Sequence, residues 1–113
     1  MNLTFSAYQA RAHSTAVYPS RYWEYPFIGL AGEVGELCNQ VKKIIRDDGG
    51  MDDPTQLTNS RRAKIQDEVG DVLWYVAEVC SSLGLSLEAV AAANLEKLAE
   101  RARTNSIHGD NRR

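Results

Sequence analysis

Across 113 residues, 13 Lys and Arg stand against 15 Asp and Glu, a net charge of −2, with 43% hydrophobic and 25% charged residues. That balance fits one globular domain with a single core. It excludes wholesale disorder and, at a pI near 5.6, a basic nucleic-acid footprint. No apolar run approaches the ~18 residues of a membrane span, and Cys38 and Cys80 are too few for a disulfide scaffold, so a reduced cytoplasmic chain without membrane or nucleic-acid partner is expected.

In chain order, a short helix is expected over roughly Leu3 to Ala12, carrying Leu3, Phe5, Ala7, Tyr8 and Ala12. Pro19 and Pro26 bracket an aromatic stretch of Tyr18, Tyr22, Trp23, Tyr25 and Phe27, and Pro26 suits a first helical turn. This stretch reads as a stacking wall for a base or as a packed cap over one end of the domain, with Trp23 the candidate stacker. The second helix shows apolar residues at Leu30, Val34, Leu37, Val41 and Ile44, at the three-and-four spacing of an amphipathic helix. Asp47 to Pro54, with Gly49-Gly50 inside it, is the one clear loop in the middle. A third helix carries Ile65, Val69, Val72, Val76, Val79 and Leu83 and stops at Gly84. Ser86 caps a fourth, with Leu87, Val90 or Ala91, Leu95, Leu98 and Ala102. The polar end from residue 103 onward carries Arg112 and reads as a basic tail. The sum is one all-α domain spanning 1–113, an antiparallel four-helix bundle that assembles into a helical oligomer. Trp74 projects off the apolar arc of its helix and suggests a subunit interface, whereas Cys38 and Cys80 read as small core residues and His13 and His108 carry no assigned chemistry.

Two stretches repeat each other thirty-five residues apart: Gly32-Glu33-Val34-Gly35-Glu36-Leu37 and Asp67-Glu68-Val69-Gly70-Asp71-Val72. Carboxylates three apart on a helix differ by only ~60° and project from one face. Glu33 and Glu36 therefore share one rim of the second helix, continued by Gln40 and Lys43, and Glu68 and Asp71 share the matching rim of the third. If the two helices pack as neighbours, four carboxylates converge. Such a cluster must either protonate or hold cations, and hard oxygen ligands favour Mg²⁺ or Mn²⁺. The alternative is a pair of solvated helix faces. Each repeat also holds a helix-interior glycine, at a cost of ~1 kcal/mol relative to alanine, which points to close packing. On the fourth helix, Asn94, Lys97 and Arg101 form a stripe of hydrogen-bond donors suited to phosphate oxygens, or else another solvated face. Lys43 is a further cation in line with Glu36.

Together with Leu73-Trp74-Tyr75 and Asn94-Leu95-Glu96-Lys97-Leu98, these acid motifs resemble the MazG-like nucleotide pyrophosphohydrolases of the all-α NTP pyrophosphatase superfamily, close to the small bacterial and phage members and the dCTP pyrophosphatases. The resemblance covers roughly residues 25–112. It implies Mg²⁺-dependent hydrolysis of a nucleoside triphosphate, of a deoxy kind by expectation, to monophosphate and diphosphate, in nucleotide-pool control or clean-up. Mn²⁺ is expected to substitute for Mg²⁺. It further implies Glu33, Glu36, Glu68 and Asp71 as metal ligands, phosphate and sugar contacts from Asn94, Lys97 and Arg101, and a homodimer or homotetramer. Glu36 is the candidate general base, and Lys43, Trp23 and Arg112 complete the expected substrate contacts. Many members carry a further Glu where this chain has Gly32. Two other classes fit the same residues: a non-catalytic helical oligomerisation module, and phosphoribosyl-ATP pyrophosphohydrolase on the same scaffold. A di-iron carboxylate bundle is disfavoured because no His lies on the acid helices.

Overall fold

A computed structural model describes residues 2–104. Among these the chain forms four α-helices and no strand: α1 (Phe5–His13), α2 (Tyr25–Asp48), α3 (Asn59–Ser82) and α4 (Leu87–Arg103), with a 3₁₀ turn at Pro54–Gln56. The tail calls at 105–113, Arg112 and His108 among them, lie outside the described residues.

The boundaries follow local chemistry. Thr4, Thr58 and Ser86 each accept a hydrogen bond at the side-chain oxygen from the backbone N–H three residues on, capping α1, α3 and α4. Buried Pro26 occupies the first turn of α2, where its missing N–H costs nothing. Gly49 closes α2 at φ 73°, a left-handed conformation that a side chain would strain. Arg61, at the start of α3, donates to Asp48 at 3.0 Å and so clamps the two ends of the α2–α3 loop together.

α2 and α3 form a long antiparallel hairpin, with α1 packed along α3 and α4 resting on α1. The buried core sits away from the hairpin's centre, where Ala77, Cys80 and Leu87 pack with Tyr8 and Val76. Gln9 ties this end together: its amide nitrogen donates to Ser81 Oγ and the Leu85 carbonyl, and its oxygen accepts from the Leu87 N–H.

The single chain is open. Its radius of gyration is 17.3 Å, against roughly 13 Å for a compact chain of this length. The apolar arc read on α2 divides in two. Leu30, Leu37 and Ile44 turn toward α3, together with Glu33 and Gln40. Val34, Val41 and Ile45 point outward and are 43%, 47% and 64% exposed. Cys38 lies on this outward stripe and is exposed, contrary to its reading as a core residue, while Cys80 is buried. The arc is wide enough to meet two partners, and α3 covers only one side. α4 turns 102° away from the line of α3 instead of folding back along it, which leaves the second side uncovered.

The motif glycines also behave differently from expectation. A Cβ added at Gly35 or Gly70 would meet nothing within 4 Å among the described residues. The close approach is at Gly29, where a Cβ would stand 2.1 Å from the Tyr75 ring.

Candidate metal and nucleotide site

The hairpin sets Glu33 opposite Glu68 and Asp71, and one carboxylate oxygen from each lies within 4.8 Å of the other two. Glu33 and Glu68 are half-buried, while Asp71 is exposed. Burial pushes the Glu33 carboxyl above the usual range, and the charge of Asp71, a hydrogen bond with Glu68 and the charges of Glu68 and Glu36 add to the effect. Glu68 Oε2 is buried without a hydrogen-bond partner. A buried carboxylate oxygen left without a donor is costly, and a cation would relieve both that cost and the mutual repulsion. The donor set is oxygen only, which suits Mg²⁺ or Mn²⁺. The residues fit the metal that the acid motifs call for.

Glu36 stands outside this trio. It is exposed, and it reaches Glu33 only through its charge. The ~60° between carboxylates three apart explains the difference: on α3 both acids fall toward α2, but on α2 only Glu33 falls toward α3. The same inward stripe continues to Gln40, only 8% exposed, whose Oε1 has no partner. Lys43, further along, is half-buried; the Asp47 carboxyl a turn away is held below its ordinary value chiefly by its bond with Arg46, with the charges of Arg46, Arg61 and last Lys43 adding to it.

One turn beyond Asp71 on α3, Tyr75 packs on Gly29 and meets Trp74 edge to face at 4.9 Å. Trp74, the residue read as an interface candidate, is half-buried. Its Nε1 donates to Thr15 Oγ1 at 3.0 Å, which fastens the segment after α1 to α3. Tyr18 and Tyr25 stack at 4.8 Å, and Trp23 sits edge-on to Phe27. Burial raises the Tyr75 hydroxyl above its ordinary value, and the charges of Glu33 and Asp71 are among the further causes, so the aromatic end and the trio share one electrostatic neighbourhood.

A second site went unread in the sequence. Glu78 is fully buried. The Tyr18 hydroxyl donates to its Oε1 at 2.5 Å, and His13 Nδ1 lies 3.2 Å from both of its oxygens. Burial and the bond to Glu78 push the Tyr18 hydroxyl far above its ordinary value. The signal was present in phase: Glu78 follows Glu68 by ten residues and Asp71 by seven, so all three return to one face of α3. Beside it, a cavity of about 370 Å³ is lined by His13, Tyr18, Ser20, Trp23, Ser81 and Ser82.

The donor stripe of α4 is set apart. Asn94 and Lys97 are exposed and Arg101 is half-buried. Lys97 shares a shallow groove with Glu96, Glu100 and Arg103, and Arg103 pairs with Glu100. With α4 at 102° to α3, a rise of 1.5 Å per residue puts Lys97 roughly 20 Å from Asp71. Within one chain the acid trio and the donor stripe therefore do not meet.

The profile of the MazG nucleotide pyrophosphohydrolase domain matches residues 27–105, which hold both acid motifs and α4. Gene 37 protein of Mycobacterium phage L5 is 40% identical over 114 residues, covering 93% of this chain and 96% of that protein. The uncharacterized protein YvdC of Bacillus subtilis (strain 168) is 38% identical over 92 residues, 74% of this chain and 84% of that protein. No solved structure matches. An all-α chain that pairs two Glu-Val-Gly-acid helices into one carboxylate cluster, under a profile covering most of its length, belongs to the MazG nucleotide pyrophosphohydrolase family.

Proposed function

We propose that this protein hydrolyses nucleoside triphosphates, preferentially deoxy ones, to the monophosphate and diphosphate, using Mg²⁺ or Mn²⁺, and that it serves nucleotide-pool control or clean-up in the cytoplasm. The observation that carries this reading is the Glu33–Glu68–Asp71 trio with its unpartnered Glu68 oxygen. These three side chains would hold the ion. When bound, it neutralises charge on phosphate oxygens and lowers the pKa of a coordinated water. Glu36, exposed one turn from Glu33, is free to orient the attacking water or take its proton. Trp23 offers a ring face at the aromatic end, and Lys43 a cation along the stripe of Glu33 and Glu36.

Lys97, Arg101 and Asn94 are assigned to phosphate and sugar oxygens across a subunit boundary, since one chain holds them far from the trio. The outward stripe of Val34, Cys38, Val41 and Ile45 supports a homodimer or homotetramer, because contiguous exposed apolar surface marks association. The test is a panel of ribo- and deoxynucleoside triphosphates with Mg²⁺ or Mn²⁺, with products separated by ion-exchange chromatography. Monophosphate and diphosphate are expected. Nucleoside diphosphate with orthophosphate as the first products, or full activity in excess EDTA, would overturn the reading.

A further inference from the structure

The seam between α2 and α3 differs on the two sides of the trio. Toward the start of α2, the Tyr75 ring fills the space against Gly29, so a polyphosphate seated at the trio extends the other way, toward the α2–α3 loop. The register of the hairpin fixes what it meets there. Gly29 packs on Tyr75 and Glu33 faces Asp71, so four residues forward on α2 match four residues back on α3. Seven residues further on, Gln40 comes opposite Lys64. At about 100° per residue, Gln40 and Lys43 stand about 20° and 80° from Glu33, and Lys64 about 40° from Glu68. All three are displaced to the side of the seam that carries Glu36 and Asp71.

These three residues differ in burial. Gln40 lies on the floor, 8% exposed, with its Oε1 buried and without a hydrogen-bond partner, whereas Lys43 is half-buried and Lys64 is exposed. An amide oxygen only accepts, so Gln40 lacks a donor. Ionised carboxylates of the trio cannot supply one, because they accept as well. A lysine ammonium carries three donors and no acceptor. Lys64 precedes Glu68 by one helical turn, yet it makes no ion pair or hydrogen bond among the described residues. Its ammonium can give one N–H to Gln40 and keep two for an anion.

We infer that Lys64 binds the leaving diphosphate, with Gln40 positioning its ammonium, so that the triphosphate lies with its α-phosphate at the trio and its β- and γ-phosphates toward the α2–α3 loop. The inference rests on the nucleotide-hydrolysis reading above. In that reaction the water oxygen bonds to the α-phosphorus as the bond from that phosphorus to the bridging oxygen breaks. The electron pair leaves on the diphosphate, and the proton of the water passes to Glu36. The charge gathered on the leaving group calls for a direct cationic partner, which the acid trio is not. From Lys64 to Glu68 the helix advances about 6 Å, a gap that a lysine side chain and a diphosphate span together. Lys43 adds a second positive charge at the same end from α2.

Calorimetric titration of inorganic diphosphate into the protein in Mg²⁺ tests the assignment without needing turnover. Lys64→Ala is expected to weaken diphosphate binding by about tenfold or more, the size of a charge-assisted hydrogen bond, and to leave Mn²⁺ affinity unchanged. Gln40→Met, similar in shape but without the acceptor, should weaken diphosphate binding by about threefold to tenfold. In a Lys64→Ala background the same exchange should cost nothing further, since a positioning residue acts only through its partner. With a triphosphate that turns over, Lys64→Ala should raise the inhibition constant of diphosphate and leave that of the monophosphate product as it was. Diphosphate binding unchanged in Lys64→Ala, binding lost in step with Mn²⁺ affinity, or an equal rise in both inhibition constants overturns the inference. Losses that add in the double variant overturn the positioning role of Gln40. Should Gln40→Met fail to fold, Lys64→Ala, at an exposed position, decides alone. Absence of turnover with every triphosphate would instead defeat the hydrolysis reading. Diphosphate binding that depends on Lys64 would then still support an anion subsite at the loop end, and binding independent of Lys64 would overturn it.

Discussion

Replacing Gly29 with alanine tests the hairpin at its tightest point. The added Cβ would stand 2.1, 2.5 and 2.7 Å from three atoms of the Tyr75 ring. Carbon atoms settle at about 3.5–4.0 Å, so the ring or the helix must retreat by roughly 1.4 Å. The ring has little freedom to do so, because Trp74 meets its edge at 4.9 Å. Overpacking of this kind costs about 1–3 kcal/mol, and the helix-propensity gain of alanine over glycine offsets about 1 kcal/mol of it. A displacement above 1 Å belongs in the upper part of that range, which leaves a net loss of about 1–2 kcal/mol, or a Tm lower by roughly 4–16 °C for a domain of this size. Gly35→Ala and Gly70→Ala, with nothing within 4 Å, are expected to gain up to about 1 kcal/mol each within the single chain. Thermal unfolding of the three variants by circular dichroism at one protein concentration is the assay. A Gly29→Ala protein as stable as Gly70→Ala would refute the reasoning.

Asp71→Asn is expected to lose both Mn²⁺ binding, measured by calorimetry, and turnover, whereas Glu36→Gln, outside the trio, loses turnover and keeps most of the binding; loss of binding in both would make Glu36 a ligand of equal standing. In EDTA, the raised Glu33 carboxyl means that the fold favours the protonated form. Its contribution is full below the unfolded-state value and is lost as pH rises through the raised one, so Tm should fall across that interval, and Glu33→Gln should remove the fall. Val41→Asp on the outward stripe is expected to convert an oligomer into a monomer by light scattering, with the helical circular dichroism retained. Lys97→Ala should raise KM for the triphosphate by about tenfold or more, the size of a charge-assisted hydrogen bond, and leave Mn²⁺ affinity unchanged.

Much of this molecule was legible from local rules. The three-and-four spacing located α2, α3 and α4, and Ser86 and Gly84 marked the turn between the last two, because caps and left-handed glycines act within a few residues. The pairing of Glu33 with Glu68 and Asp71 followed from matching phase. What phase could not supply was the choice between two apolar flanks of α2, since periodicity orients a helix relative to itself and not to its neighbours. Glu36 was grouped with Glu33 for that reason. Glu78 was hidden differently: a carboxylate on an amphipathic helix reads as solvated until its donors are known. Those donors, His13 and Tyr18, stand sixty-five and sixty residues away in the chain.

The outward stripe of α2 bears on how this protein behaves when scarce. If a second copy covers Val34, Val41 and Ile45, part of the free energy that holds the hairpin comes from association, and mass action governs it. Unfolding then depends on concentration, and dilution shifts the chain toward its unfolded form as surely as heat does. Specific activity would rise with the amount of protein instead of staying constant. A cell making few copies would keep little working enzyme, and one making many would switch it on over a narrow range of expression. Gene dosage alone would then set how much of the associated form is present.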